Sequence, residues 1–505
     1  MSVKLLRLVA TVLLVVCVLE TALAKIVRLR CMWRDDPATT MVIGWDQITG
    51  ANPVLHYGLQ DKGKNPGAYG KSVKPARVQE AKGMRNHFAR LTNLQPNTKY
   101  YFVIQDNEGC SLSFSFRTAP NNPNQKLSII AGGDSRNHRE ARRNANTLVG
   151  KLKPHCVMFG GDMTADDGGN SWKEWFDDWQ YTMGPARQLI PIIPARGNHE
   201  ASNQSIVDLF DVKSKDVYYG LTLGGGLLRI YTLNTLIPSG GSQKAWLEND
   251  LKKSQGAKWR FAQYHHTIRP HTASKPEKDE LLINWATLFH KYSMNLVVES
   301  DAHVVKWTYP IRPSRDAGSD QGFIRDDKTG TVYVGEGCWG APLRANNDDK
   351  KWTRASGKFN QFKWIFVDQN QVEVRTVMTD CAPNVVPLRE NNIFYPQCKG
   401  LRLWNPPTGG VVTIKPRAKV GPPIMGKLRP DSKGLVNIAF TLKQPANVQA
   451  ILTNKQLQQL ATVNYDGLGS GAHTKSLNVA KVPAGEYIIL VKANGSVIQR
   501  YALIK

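Results

Sequence analysis

Five apolar segments of the sequence end in side chains that can hold a metal ion. Each segment reads as a β-strand, and a carboxylate, amide or imidazole group stands at or just after its end. These groups are Asp134, Asp162, Asn198 with His199, His265 with His266, and Asp301 with His303. Asp, Asn and His are hard to borderline donors that suit Mn, Fe or Zn. One such residue would be an ordinary turn or cap residue, but the whole set predicts a metal site.

The residue types also indicate which reaction this metal site would support. A carboxylate can bridge two cations, and a pair of metal ions can stabilise both the attacking and the leaving oxygen of a phosphate ester. Gly133, Gly161 and Gly197 stand beside these groups, where glycine permits a sharp turn and a close approach of the backbone to a ligand. The pattern therefore predicts a two-metal centre for phosphate ester hydrolysis.

The elements that would position these residues alternate between strands and helices from Lys126 onward. The predicted strands are KLSIIAGG, HCVMFGG, LIPIIPA, LLRIYTLN, WRFAQYH and MNLVVES, and the predicted helices cover residues 139–152, 171–180, 243–253 and 278–291. Such alternation predicts an α/β domain with largely parallel strands. In open α/β sheets, ligands bind where loops leave the carboxyl ends of the strands, which is where the candidate ligands stand.

All-β regions flank this central domain on both sides, as expected for a chain of 505 residues with two to four domains. The N-terminal strands are TTMVIGW, PVLHYG, KYYFVIQD and LSFSFRT, and the C-terminal ones are LVNIAFTL, NVQAILTN, GEYIILVKA and VIQRYALIK. The Pro- and Asn-rich segment 119–125 reads as a linker. We therefore predict domains at 25–118, 126–380 and 409–505, with a connecting segment over 381–408.

The first 24 residues resemble a secretory signal. Lys4 and Arg7 precede an apolar stretch over residues 8–19, and Ala22-Leu23-Ala24 supplies small residues at the expected cleavage spacing. The apolar stretch is too short to span a bilayer, and no later segment of the sequence is apolar enough. We therefore expect an exported protein, located in the periplasm, at the cell surface or outside the cell.

Export makes disulfides compatible with the chain. Cys381 and Cys398 lie close together in an irregular stretch and form the most plausible bridge, and a pair of Cys31 with Cys110 is a second option. Cys156 lies in an apolar run and is expected to be a buried small hydrophobic residue.

The formal net charge of +25 raises the question of a polyanionic partner. The Lys and Arg residues are scattered rather than grouped in long basic blocks, which favours a generally basic, solvated surface. We expect no dedicated nucleic-acid site, although the excess charge would attract anionic substrates.

The ordered blocks GGDS, GGDMT, GNHE, YHHT and SDAH resemble the motifs of the calcineurin-like metallophosphoesterases. They are most similar to the purple acid phosphatase branch, with its GD, GDxxY, GNHD/E, xxxH and GHxH blocks. The resemblance covers about residues 126–380 and implies a central α/β/β/α sandwich. TTMVIGW and RLTNLQPNTKYYFVIQD also resemble the fibronectin-type-III-like domain of that branch.

The resemblance implies a role for each motif residue. Asp134 and His303 would hold one metal, Asp162 would bridge both, and Asn198, His265 and Asp301 would hold the second. His199 would stabilise the phosphoryl group in transfer or protonate the leaving oxygen. The nucleophile would be a metal-bound hydroxide, and the substrate a phosphate monoester. Flanking side chains are candidate phosphate contacts, namely Arg136, Asn137, Arg196, His266, Arg269 and His271.

The sequence departs from the family pattern at two motif positions. Ala165 stands where GDxxY has the tyrosine whose phenolate colours a ferric centre, so we expect no purple protein. Asp301 stands where GHxH has its first histidine, which adds a carboxylate and favours the harder ions Mn, Fe(II), Mg or Ca. The metals are two divalent or trivalent ions, with Fe, Mn and Zn as the candidates.

Two alternatives to a monoesterase and one alternative for the C-terminal region stay open at this point. A phosphodiesterase or nucleotide pyrophosphatase would use the same metal pair, and a cell-surface binding protein would keep only a degenerate site. The last hundred residues resemble the sorting domains of type IX secretion, which implies the secretion machinery as a partner. A plain accessory β-sandwich is the alternative for that region.

Overall fold

The computed structural model describes residues 24–416, 424–454 and 458–505, which form two compact units divided after residue 416. The predicted secretory signal therefore lies outside the described residues, apart from Ala24. Among the helices that are described, none is long and apolar enough to cross a bilayer. The fold class predicted from the sequence is confirmed: two all-β regions flank a central α/β domain.

The N-terminal region contains eight strands. They are Ile26–Met32 (β1), Met41–Gln47 (β2), Val54–Gly58 (β3), Lys71–Val73 (β4), Arg77–Ala81 (β5), Met84–Leu91 (β6), Lys99–Gln105 (β7) and Phe114–Arg117 (β8), with a short 3₁₀ helix at Pro66–Ala68. Strands β4, β3, β7 and β8 form one sheet, and β1, β2, β6 and β5 belong to a second sheet. Alternate residues are buried along β3, as expected for a strand with one core-facing side.

The central region contains the strands and helices that carry the motif residues. In chain order they are Leu127–Gly132 (β9), Arg139–Leu152 (α1), Cys156–Phe159 (β10), Gly169–Trp179 (α2), Pro191–Pro194 (β11), Asn203–Phe210 (α3), Tyr219–Leu223 (β12), Leu228–Thr232 (β13), Gly241–Lys253 (α4), Trp259–His266 (β14), Asp279–Leu281 (α5), Thr287–Lys291 (α6), Leu296–Ser300 (β15), Val305–Thr308 (β16), Ile311–Pro313 (β17), Phe323–Arg325 (β18), Val332–Gly335 (β19), Thr353–Gly357 (β20), Gln361–Val367 (β21), Val372–Met378 (β22) and Val412–Ile414 (β23). One π-helical turn, Leu282–Ala286, joins α5 to α6, and 3₁₀ helices cover Gln180–Met183 and Thr379–Asn384.

Two sheets pack face to face and each is covered by helices. The first has the order β23-β22-β21-β9-β10-β11-β1-β2-β6-β5, and the second has the order β12-β13-β14-β15-β19-β16-β20. Apolar residues of both sheets form one buried cluster, which includes Ile129, Met158, Phe261 and Val298. Separate clusters join the first sheet to α1–α3 and the second sheet to α4–α6. The layers therefore follow the order α/β/β/α, as predicted.

The N-terminal strands continue the first central sheet. Strand β1 pairs in parallel with β11, with Cys31 opposite Pro191 and Met32 opposite Ile192. The predicted linker at 119–125 therefore does not separate the sheets, because one sheet contains strands from both sides of it. Strand β23 also pairs with β22, Val412 lying opposite Val374, although the sequence assigned residues from 409 onward to the C-terminal region.

The C-terminal unit is all β-structure. Its strands are Ile424–Leu428 (β24), Leu435–Leu442 (β25), Ala446–Thr453 (β26), Gln459–Leu468 (β27), Gly471–Asn478 (β28), Glu486–Ala493 (β29) and Ser496–Ile504 (β30). Strands β24, β30, β29, β26 and β27 form one sheet, and β25 pairs with β28. Along β25, Val436, Ile438, Phe440 and Leu442 are buried while the residues between them are exposed or half-buried, which gives a sheet with one core-facing side.

The cysteines differ from the sequence prediction. Cys381 and Cys398 are both buried in the cluster that joins the first sheet to its helices, but the structure holds them as free thiols. The Cys381 thiol instead donates to the Met378 carbonyl, with 3.0 Å between Sγ and O. Cys31 and Cys110 are free as well, the former buried within β1. Cys156 is fully buried, as predicted, and burial raises the pKa of its thiol.

Candidate metal centre

The motif residues stand at the carboxyl ends of neighbouring parallel strands. Strands β9, β10 and β11 are adjacent and parallel in the first sheet, and β14 and β15 are adjacent and parallel in the second. The loops that follow these five strands carry all the predicted metal ligands except His265, which lies within the end of β14. Because the two sheets pack together, the five strand ends meet at one edge of the sandwich.

The backbone bends sharply at four of these residues. Asp134, Asp162, Asp301 and His303 all have left-handed conformations, with φ angles of 58°, 54°, 70° and 54°. Such conformations are uncommon outside glycine and concentrate at functional sites. The loops also approach each other closely, since a Cβ added to Gly197 would lie 2.3 Å from the backbone nitrogen of Asp162. Glycine is therefore required at this position for the loops to meet.

One group of candidate ligands contains Asp134, Asp162 and His303, whose donor atoms lie within 4.8 Å of one another. All three side chains are buried. His303 Nε2 lies 3.0 Å from Asp134 Oδ1, and His303 Nδ1 donates to the Pro342 carbonyl at 2.8 Å. Since a carbonyl only accepts, this second bond fixes the ring orientation and directs Nε2 toward the carboxylates.

A second group contains His265, His266 and Asp301, whose donor atoms lie within the same distance of one another. His265 Nδ1 donates to the Gly160 carbonyl at 2.9 Å, so its Nε2 is directed into the site. That Nε2 lies 3.0 Å from Asn198 Oδ1 and 3.7 Å from Asp301 Oδ1. The structure thus brings Asn198, His265 and Asp301 together, and it adds His266, which the sequence suggested only as a phosphate contact.

Asp162 belongs to the first group and also contacts the second. Its Oδ1 is 3.3 Å from His265 Nε2, and its Oδ2 is buried without a hydrogen-bond partner. A buried carboxylate oxygen without a partner is costly unless a cation satisfies it. The donor set, with oxygen and imidazole atoms converging from both sheets, therefore fits bound metal ions.

The electrostatics of the site also favour bound cations. Burial alone would lower the pKa of His265, but the charges of Asp162, Asp134 and Asp301 raise it to about 10. Burial alone would raise the pKa of Asp301, but His265 and Lys275 bring it below its ordinary value. The carboxylates of Asp134, Asp162 and Asp301 thus stabilise a nearby positive charge, whether on an imidazole or on a bound metal ion.

Glu200 is a structural member of the site for which the sequence suggested no role. Its carboxylate accepts hydrogen bonds from three backbone N–H groups, those of Asp162 at 3.0 Å, Met163 at 2.8 Å and Gly197 at 2.6 Å. Burial and the nearby charge of Asp162 raise the pKa of Glu200 to about 7. Glu200 therefore ties the loop after β10 to the loop after β11. Its place at the end of the GNHE block was the one sequence signal.

His199 lies at the edge of the site and is partly exposed. Its Nδ1 donates to the Ala165 carbonyl at 2.6 Å, which leaves Nε2 toward Asp162, 3.8 Å from Oδ2. Its backbone N–H donates to Asp162 Oδ1 at 2.8 Å. The imidazole is thus oriented by Ala165, which stands at the tyrosine position of the GDxxY motif.

Apart from His266, which belongs to the second group, Arg136 is the candidate phosphate contact that touches the ligand groups. Its Nε is 3.4 Å from Asp162 Oδ2 and, like that oxygen, is buried without a hydrogen-bond partner. Its Nη2 lies 3.4 Å from His303 Nε2, and its Nη1 donates to Asn137 Oδ1 at 3.1 Å. Asn137 is exposed, and its hydrogen bond to Arg136 is its connection to the ligand groups.

Two further candidates, Arg196 and Arg269, are bound to other protein groups instead. The Arg196 guanidinium donates to the carbonyls of Glu200 and Ala201 and to Asn203, which orders the loop after β11. Arg269 pairs with Glu277 at 2.9 Å and also with Asp279.

His271 is similarly engaged away from the ligands. It lies 2.7 Å from Thr353 Oγ1 through Nε2 and 3.4 Å from Glu336 Oε1 through Nδ1. The structure therefore does not bring Arg196, Arg269 or His271 to the ligand groups, because these side chains contact other protein groups. Burial lowers the pKa of the remaining candidate, His266, to about 4.

Two family descriptions match this chain. The purple acid phosphatase N-terminal domain matches residues 26–118, and the calcineurin-like phosphoesterase matches residues 133–305. The central domain is a calcineurin-like phosphoesterase domain. The second match includes every metal-ligand candidate, so the chain is a metal-dependent phosphoester hydrolase. The chain matches none of the curated proteins with which it was compared.

Two solved structures share the fold of this phosphoesterase. Purple acid phosphatase PPD1 from yellow lupin (Lupinus luteus) seeds is 15% identical at a TM-score of 0.59, with 71% of this chain and 72% of that chain covered. PhoD is 11% identical at a TM-score of 0.56, with 78% of this chain and 92% of that chain covered. At these identities the likeness concerns the fold alone.

Proposed function

We propose that this phosphoesterase is an exported enzyme that hydrolyses phosphate monoesters at a dinuclear metal centre. The observation that carries the proposal is that Asp162, a member of the first group of candidate ligands, also contacts the second. One of its oxygens is 3.3 Å from His265, and the other is buried without a hydrogen-bond partner. Asp134 and His303 would hold one ion, and Asn198, His265 and Asp301 the other. Two ions at such a site, when bound, make a water molecule acidic near neutral pH and polarise the phosphoryl oxygens.

The chain's own residues then have distinct tasks. Arg136 offers a guanidinium whose Nε has no hydrogen-bond partner beside Asp162, and this donor would orient the phosphoryl group. His199 keeps one proton on Nδ1, bonded to the Ala165 carbonyl, and a second proton on Nε2 would pass to the leaving oxygen. Glu200 holds both loops in place during this transfer. These positions support the roles that the family resemblance implies.

The charge of the site supports a monoester over a diester substrate. A monoester carries a more negative phosphoryl group, and cationic side chains stand on both ligand groups, Arg136 beside Asp162 and Lys275 beside Asp301. A phosphodiesterase or nucleotide pyrophosphatase would use the same ligands on a phosphoryl group that carries a single negative charge. The two functions therefore differ in substrate preference rather than in metal content.

Export and sorting form a separate part of the proposal. The pattern of the first 24 residues supports a cleaved signal, and the segments of the C-terminal β-sandwich support a domain read by type IX secretion. The N-terminal region would be a fibronectin-type-III-like support for the catalytic sheet. A variant that ends at residue 416 keeps the proposed signal, so it should stay active but be retained in the periplasm. Its appearance at the cell surface or in the medium would leave the C-terminal unit as an accessory sandwich.

The decisive experiment combines metal analysis with substrate profiling of purified protein. We expect close to two metal ions per chain and faster hydrolysis of phosphate monoesters than of matched diesters. Preference for the diesters would establish the alternative enzyme. Absence of both metal and turnover would leave a binding protein with a degenerate site.

A further inference from the structure

Two partly exposed cations stand at the ligand groups, one on each. Arg136 contacts Asp162 in the first group, and its side chain is 14% exposed. Lys275 contacts Asp301 in the second group, with 2.5 Å between Nζ and Oδ1, and its side chain is 21% exposed. Both side chains therefore reach solvent as well as the buried candidate ligands.

Lys275 is held in this position by the loop between β14 and α5. Its backbone N–H donates to the Thr272 carbonyl at 3.3 Å, which closes a turn beneath the side chain. The Asp301 carboxylate is only 8% exposed, and the carbonyl of the same residue accepts a hydrogen bond from Arg344 Nη1 at 2.6 Å. The ion pair thus joins a partly exposed lysine side chain to a buried carboxylate whose backbone is fixed.

The Lys275 ammonium has unused capacity for binding an anion. An ammonium has three donors, and among the described residues Asp301 is its one polar partner. A bound phosphate dianion would offer acceptors at the solvent side of the ligand groups. Lys275 neutralises the Asp301 carboxylate when no metal ion is bound. A metal ion bound to Asp301 would neutralise the same carboxylate and so free the ammonium.

We propose that Lys275 is a phosphate-binding residue of this enzyme. It neutralises Asp301 in the metal-free protein, competes there with the second metal ion, and contacts the phosphoryl group once metal is bound. The inference rests on the proposed two-metal phosphoesterase function. Lys275 would serve the second ligand group as Arg136 serves the first. Its positive charge also explains why the additional carboxylate of Asp301 is tolerated in a buried site.

The test compares Lys275→Met and Lys275→Arg with a matched control. Lys291→Met removes a lysine that also pairs with a carboxylate, Glu248 at 2.8 Å, but lies outside the site. Calorimetry would measure Mn²⁺ binding to each metal-free protein. Inhibition by inorganic phosphate would then be measured on each Mn²⁺-loaded protein, with calorimetric phosphate binding as a readout independent of turnover.

We expect Lys275→Met to bind the weaker Mn²⁺ equivalent several-fold more tightly, because its competitor is gone. Its phosphate affinity should fall about tenfold, as expected for one lost charged hydrogen bond. Lys275→Arg should keep phosphate affinity near that of the wild type, and Lys291→Met should match it in both measurements.

Unchanged Mn²⁺ binding or unchanged phosphate binding in Lys275→Met would overturn the assignment. A wild-type protein that binds two Mn²⁺ ions and hydrolyses esters in that experiment would confine the failure to Lys275. A wild-type protein that does neither would refute the proposed function as well.

Discussion

His303 Nε2 lies 3.0 Å from Asp134 Oδ1, although the residues are 169 positions apart and follow strands of different sheets. Asp134 comes after β9 in the first sheet, and His303 comes after β15 in the second. The contact therefore depends on the packing of one sheet on the other. A substitution that shifts the two sheets would separate these candidate ligands without changing either of them.

The first prediction concerns His199 as the proton donor. His199→Ala should lower kcat by about 10²–10⁴-fold for an alkyl phosphate, whose leaving oxygen needs a proton. The loss should be much smaller for an aryl phosphate with an acidic phenol, because that oxygen leaves without protonation. Steady-state rates over a series of leaving groups would measure this. An equal loss for all leaving groups would show that His199 only positions the phosphoryl group.

The second prediction concerns colour. Ala165 occupies the position of the family's coloured-site tyrosine, and its carbonyl instead accepts a hydrogen bond from His199. Iron-loaded protein should therefore lack a strong visible charge-transfer band. Absorption spectra of the purified, iron-loaded protein would decide this. An intense band would mean that a different phenolate reaches the iron.

The third prediction concerns Glu200 as the tie between two loops. Glu200→Gln would place an amide NH₂ group against backbone N–H donors, so we expect a loss of about 1–3 kcal/mol in the free energy of unfolding. Metal affinity should fall with it, since the Asp162 backbone loses its anchor. Denaturant unfolding and metal titration would be compared with the exposed control Glu280→Gln. If Glu200→Gln and the control were equally stable, the tie would be unimportant.

The fourth prediction concerns a buried lysine in β21. Burial lowers the pKa of Lys363 from its ordinary 10.5 to about 7, and its Nζ donates to Thr376 Oγ1 at 2.9 Å. Between these pH values the unfolded chain holds a proton that the folded chain has released, so stability rises with pH there. Below pH 7 the folded protein must bury the charged ammonium.

Lys363→Met should consequently raise Tm at pH 6, by about 2 °C or more, and change it little at pH 10. Calorimetric scans of both proteins at the two pH values would measure the difference. A shift of the same size at both pH values would show that packing, rather than charge, accounts for the effect.

The sequence predicted those parts of the fold that have a local pattern. Helix α1 begins and ends at the predicted residues because Ala145, Leu148, Val149 and Leu152 form one apolar face. The strand ends that carry the candidate ligands were predicted because polar groups follow short apolar runs. The pairing of β1 with β11 was not predicted, because a parallel contact between distant segments has no local signal.

The same distinction applies to the site. Residue types and order indicated the motif residues, but they did not show where a flanking side chain points. Arg196 and Arg269 lie close to the motifs in sequence, yet their guanidinium groups bind loop carbonyls and carboxylates. Lys275 is far from Asp301 in sequence and in no recognisable motif, so only the folded loop reveals it. The disulfide expected from Cys381 and Cys398 rested on sequence proximity, which does not fix thiol geometry.

The central claim is that Asp162 is shared by two metal ions that perform the hydrolysis. The most direct measurement is metal content per chain together with phosphomonoester turnover for the wild type, Asp162→Asn and Asp166→Asn. Asp166 is an exposed carboxylate of the same loop and serves as the matched control. The account predicts about two ions and full turnover for the wild type and the control. Asp162→Asn should fold normally but lose metal and nearly all turnover, whereas near-normal metal content and turnover in that variant would contradict the account.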